Sequence, residues 1–219
     1  MSSSKAFSAD FDSTRYRLLT EASEAKEGDC VLYWMGRDQR VEDNYAMLAA
    51  RGIAKEQNVP LKVVFPFYTS FNDMSVRQFT FMSKGLEEVE RDCRALNIPF
   101  MVKVSSPDQV AETVSEAAKE HKAGAVVTDH MPLKVFKEWN AAVAADLDKS
   151  DVPLFQVDAA NVVPVWVASD KQEVGARTLR PKINKLYSRY LKEFDKVEAN
   201  TEKCDLGPLT NWEEVRKGP

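Results

Sequence analysis

Cys30-Val-Leu-Tyr33-Trp34-Met35-Gly36-Arg37-Asp38-Gln39-Arg40-Val41-Glu42-Asp43-Asn44 decides the fold. An apolar run, Cys30 to Met35, passes directly into a charged turn and then into a segment of helical period. A strand that stops at Arg37-Asp38-Gln39-Arg40 gathers several charged groups above its carboxyl end. In an α/β protein that is the end where ligands bind.

The rest of the chain repeats the pattern. Short apolar runs at Cys30–Met35, Leu61–Pro66, Pro99–Val104, Ala125–Thr128 and Leu154–Val157 alternate with helical segments at Val41–Gln57, Val76–Leu96, Pro107–Lys122 and Leu133–Leu147. Each run is nearly all apolar, as a strand buried on both faces should be, so the expected fold is a five-stranded, doubly wound parallel sheet of Rossmann-like type. Asn58-Val-Pro60, Asn97-Ile-Pro99 and Asp151-Val-Pro153 each end a helix and hand over to a strand, because the residue before proline disfavours helical geometry. Ser106-Pro107-Asp108 is expected to cap the third helix, with proline at its first position. In the second helix, Phe79, Met82, Leu86, Val89 and Cys93 form an apolar stripe, with Glu87, Glu88, Glu90, Arg91 and Asp92 on the other side. The α/β domain is expected over 28–160, after an amino-terminal extension, 1–27. An extended segment, a helix from about Arg180 to Phe194 and a tail follow over 161–219.

Composition bounds the function. The 219 residues carry a formal net charge of −4, the wrong sign for a domain that grips a phosphate backbone with its whole surface, so DNA binding by this chain alone is disfavoured. One basic run, Lys171 to Lys192, reads as a solvated helix face in the first instance. No apolar run approaches the roughly 20 residues of a membrane span, and the acids before Asp29 argue against a transit peptide. Cys30, Cys93 and Cys204 are widely spaced, which suggests free thiols in a reducing, intracellular, soluble setting. With two histidines, His121 and His130, no metal site is expected.

Doubly wound topology sets the ligand crevice outside the strand carboxyl ends. The groups presented there are Trp34, Met35, Gly36, Arg37 and Asp38, then Pro66 and Phe67, then Asp129, His130 and Met131. Trp34, Met35, Arg37, Asp38, Phe67, Asp129 and Met131 are the expected ligand contacts. They suit a flat, polar-edged heterocycle, with Trp34 and Phe67 over its faces and Arg37 with the carboxylates at its edge. Equally, Arg37 and Asp38 could pair with each other or cap the first helix. A single glycine after the first strand and no GxxxxGK[ST] stretch speak against classical dinucleotide and P-loop sites. No catalytic residue stands out.

A second stretch, Val163-Pro-Val-Trp166-Val-Ala-Ser-Asp170-Lys171-Gln-Glu173-Val-Gly175-Ala-Arg177-Thr-Leu-Arg180, joins the first in a family resemblance. Phe81 to Glu90, Leu96 to Phe100 and Gly124 to Asp129 fit it in order. The chain, from about Gly28 to about Val197, resembles the amino-terminal α/β domain of class II cyclobutane pyrimidine dimer photolyases, in the photolyase and cryptochrome family. The resemblance implies an antenna chromophore, a deazaflavin or reduced folate, near the crevice. It also implies an all-helical domain holding FAD and the flipped-out dimer. That domain is expected to be absent here, so FAD would enter only with a helical domain supplied in trans, and the chain alone should not be catalytic. Val163, Val165, Trp166, Arg177 and Arg180 are the expected partner interface, in an apolar surface with Val162 and Val167.

Three functions follow: the antenna-type part of a photolyase for light-dependent DNA repair, a photolyase-derived assembly subunit with another protein partner, and a nucleotide-binding α/β domain.

Overall fold

A computed structural model describes residues 11–68, 71 and 73–217. Strands β1 (Tyr16–Leu18), β2 (Cys30–Trp34), β3 (Leu61–Phe67), β4 (Phe100–Val104), β5 (Ala123–Asp129) and β6 (Leu154–Val157) form one sheet in the order β1-β6-β5-β2-β3-β4. All pairings are parallel except β1 with β6. The sheet therefore has six strands, not five. The additional one comes from the amino-terminal extension, where Tyr16-Arg17-Leu18 is too short to show an alternating pattern. The winding direction reverses between β2 and β5, which fixes the topological switch point.

Helices α1 (Tyr45–Gln57) and α2 (Val76–Ala95) cover one face, and α3 (Val110–Glu120) and α4 (Lys134–Asp148) the other. The period of two in β2 divides the core accordingly. Val31, Tyr33 and Met35 join α1 and α2, whereas Cys30, Leu32 and Trp34 join α3 and α4. At the amino ends of β2 and β5, Gly28 and Gly124 let two backbones cross, since a Cβ on Gly124 would lie 2.3 Å from the Lys26 carbonyl oxygen.

Two boundary readings change. Asn58, Asn97 and Asp151 all sit in the left-handed region, with φ of 55°, 56° and 56°. The recurring Asn/Asp-x-Pro stretch thus ends a helix through a left-handed residue that these side chains tolerate, with proline then entering the strand. The third helix starts at Val110 without a side-chain cap, because Ser106 Oγ donates to Gln109 Oε1 rather than bonding the helix amides.

The carboxyl-terminal part adds α5 (Val165–Ala168), α6 (Ala176–Tyr190) and α7 (Trp212–Lys217), with Pro181 inside α6. Residues 191–211 run as a strap that passes the amino ends of β3 and β4 at Asn200 and returns along α2. Arg51 donates to the carbonyls of Glu198 and Ala199 (3.0 and 2.7 Å). The Asn200 amide bonds both backbone groups of Leu61 and the Asn97 carbonyl (each 2.9 Å). Val197 and Trp212 enter the core beside α1 and α2. Glu90, expected on the solvent side of α2, is only 2% exposed: its carboxylate accepts from the Trp212 indole at 2.6 Å and from Thr210. A carboxylate there is tolerated because three donors replace its water.

Candidate ligand site at the carboxyl rim

The β2 and β5 rims meet as the topology requires, and a carboxylate closes the gap. Asp129, at the end of β5, is fully buried. Its Oδ2 accepts from the backbone N–H groups of Gly36, Arg37 and Asp38 at 2.9, 2.8 and 3.3 Å, and its Oδ1 from the Tyr33 hydroxyl at 2.7 Å. Asn44 donates to that hydroxyl (3.1 Å) and to the carbonyls of Asp38 and Arg40. The Asn44 Oδ1 caps α1 through the amides of Ala46 and Met47. Successive amides in a strand-to-helix turn are the groups that hold a phosphate in nucleotide-binding folds. Here an internal carboxylate occupies them. Burial pushes Asp129 up to about 6, against the pull of the Tyr33 hydroxyl and the loop amides.

The expected sandwich of a ligand between Trp34 and Phe67 does not form. Trp34 lies in the core beside α3 and α4, while Phe67 lies across the sheet, packed on Phe79 and Trp212. Trp34 pairs in register with Val64, and Phe67 is three residues further on, hence on the opposite face. Met35 is buried as well, and the space between Trp34, Met35, Gly36 and Met131 is about 10 Å³, barely enough for one water. Arg37 points to the exposed rim, and Asp38, whose carboxyl burial raises above its usual range, pairs with Arg40 at 3.3 Å rather than with Arg37.

Room exists one strand further along. A cavity of about 590 Å³ opens beside Met131, between β1, β6, α4 and α5, within the range of small-molecule sites. Trp166 forms one wall. The Arg17 guanidinium lies 4.5 Å from its ring centroid, and the His130 ring meets it edge-on at 5.1 Å. His130 Nδ1 lies 3.2 Å from Gln156 Oε1. Opposite, α4 contributes Lys137, Asn140 and the small residues Ala141 and Ala144, which leave the volume open. A broader groove along α1, about 840 Å³, mixes cations with acids. Its buried Arg15 and Arg51 are occupied by backbone carbonyls.

Of the expected contacts, Met131 borders this cavity and the expected partner residues Val165 and Trp166 form its rim. Val163 is buried and cannot meet a partner, while Val162 and Val165 are 43% and 40% exposed. Arg177 and Arg180 lie exposed on α6. Arg17, Asn140 and Gln156 escaped the sequence reading. Asn140 had left a signal, since it interrupts the apolar stripe Phe136, Val143, Leu147 of α4 at a buried position.

A family model described as DNA photolyase matches residues 31–200. The chain belongs to the DNA photolyase family. Its α/β fold agrees with the amino-terminal Rossmann-like domain of photolyases, as the strand pattern anticipated. Proteins named deoxyribodipyrimidine photo-lyase are similar to it: 39% identical over 95% of this chain in Potorous tridactylus, 40% over 79% in Arabidopsis thaliana, and 32% over 92% in Methanothermobacter thermautotrophicus. The matched parts are 39%, 34% and 43% of those proteins, so this chain spans about two fifths of their length. Among the described residues no helix is long and apolar enough to cross a membrane.

Proposed function

We propose that this photolyase-family domain serves light-dependent repair of pyrimidine dimers as the chromophore-bearing part of a class II enzyme. In this reading it holds a deazaflavin or reduced folate as antenna, and the flavin chemistry belongs to a helical domain outside these 219 residues. The observation that carries it is the cavity at the carboxyl rim, walled by Trp166 with Arg17 over its ring and roomy enough for a flat heterocycle. The rim at Asp129 is already closed, which moves the ligand from the switch point towards β6 and β1. The same closure weighs against a nucleotide phosphate on the loop amides.

The test is reconstitution of the purified chain with a deazaflavin and, separately, a reduced folate, followed by absorption and fluorescence titration. Saturable binding that Trp166→Ala weakens supports the reading, whereas no binding of either compound at millimolar concentration sinks it. Light alone should leave dimers intact in the presence of this chain, with or without antenna.

The exposed Val162 and Val165 beside the cationic outer side of α6 favour a second reading, an assembly subunit docking another protein. Size measurement in a mixture with a helical photolyase domain separates the two readings. Docking without any bound chromophore favours the second.

A further inference from the structure

Asn140 has two side-chain atoms, the amide donor and the amide acceptor, both buried without a partner. It is 3% exposed on α4, at the floor of the Trp166 cavity. Leaving a buried amide unpaired costs free energy, and native structures seldom leave both of its atoms so. No hydrogen bond anchors this amide, so it can turn towards a guest without breaking one. The neighbouring wall behaves differently. Gln156 and His130 engage each other, and Arg17 is stacked on Trp166, so these groups have partners before any ligand arrives.

We propose that Asn140 reads the ligand: its amide takes a ring edge on which an N–H stands beside a C=O, as in an imide or lactam. The Asn carbonyl accepts from the ring N–H while the Asn N–H donates to the ring carbonyl, forming a bidentate pair that satisfies both orphaned atoms. Trp166 then covers one face of the ring, and Lys137 at the mouth meets an anionic substituent. The inference rests on the cavity being the chromophore site and adds what selects the chromophore. Flavins, deazaflavins and pterins share that edge. Aromatic rings without it should be rejected, because they would bury the amide unpaired.

The experiment uses the full chain and three probes: lumiflavin, 3-methyllumiflavin, whose ring N–H is blocked, and quinazoline-2,4-dione, a smaller ring with the same edge and no visible absorption. Affinity is read by calorimetry. Lumiflavin should bind at least about tenfold more tightly than its methylated form, and Asn140→Leu should abolish that preference. Asn140→Leu should also leave the Tm unchanged or raised, since it removes two unsatisfied buried atoms; a purely structural asparagine would lower it. Equal binding of the two flavins overturns the Asn140 proposal and leaves the antenna reading standing. Binding of quinazoline-2,4-dione without either flavin, lost in Asn140→Leu, keeps the proposal and rules out the three-ring deazaflavin as the antenna. If no probe binds, the Asn140 proposal falls, and the antenna reading stands or falls on its own titrations. The methyl comparison uses unaltered protein, so a misfolded variant does not remove the test.

Discussion

Two stretches of the same sheet rim differ in one respect. At the switch point, Asp129, Tyr33, Asn44 and three loop amides satisfy one another and leave about 10 Å³. Towards β6 and β1, about 590 Å³ remains and the buried Asn140 amide has no partner. Both are lined by aromatic, sulfur and charged side chains, so residue type does not separate them. What separates them is room: the switch point also keeps one buried unpaired atom, Asp38 Oδ2, but offers no space for a guest. A finished network is scaffold, and an unfinished one beside open space is a place for a guest.

The largest effect is expected at the finished network. Asp129→Ala removes the acceptor of three loop amides and of the Tyr33 hydroxyl, and should cost about 3–5 kcal/mol in urea unfolding, as breaking a buried charged network does. A loss below about 1 kcal/mol would mean that water replaces the carboxylate and that the rim is open after all. At the cavity, Trp166→Ala should cost only about 1–2 kcal/mol, since the ring is half-buried, while weakening chromophore binding at least tenfold. The comparison breaks if these two variants trade places.

Protonation sharpens it further. With Asp129 at about 6 in the folded protein, above the usual carboxylate value, the folded form holds the proton more tightly than the unfolded chain does. Its contribution is therefore complete below about pH 4 and is lost as pH rises through about 6, by at most ~1.4 kcal/mol per pH unit. Asp129→Asn has no such proton, so the stability gap between wild type and this variant should narrow from pH 4 to pH 7. Denaturant titrations at four pH values measure the trend, and a gap that widens would place the carboxyl below its usual range. The smallest effect serves as a control. Lys122 holds φ of 47° before β5, and Lys122→Gly should stabilise by about 0.5–1 kcal/mol without changing ligand affinity. Altered affinity in that variant would couple the cavity to the far end of β5.

The parallel core was readable because strands buried on both faces must be nearly all apolar, as Cys30 to Trp34 is and as Leu154 to Val157 is but for Gln156. The edge strand β1 was not, because three residues on a sheet margin need no pattern. Glu90 was misassigned for a related reason: helical period puts it beside the apolar stripe, but its donors come from Trp212 and Thr210, far along the chain. The rim loops were correctly brought together, yet Trp34 and Phe67 were assigned to one ligand although register places them on opposite faces.

Sequence alone determined the alternation of strands and helices, the helix endings at Asn58, Asn97 and Asp151, and the meeting of the β2 and β5 rims, because these follow from local backbone preference and the hydrophobic period. Tertiary structure decided that Asp129 closes one part of the rim while the buried Asn140 borders an open one. Hydrogen-bond satisfaction is a property of groups brought together from distant parts of the chain, and no local pattern records it.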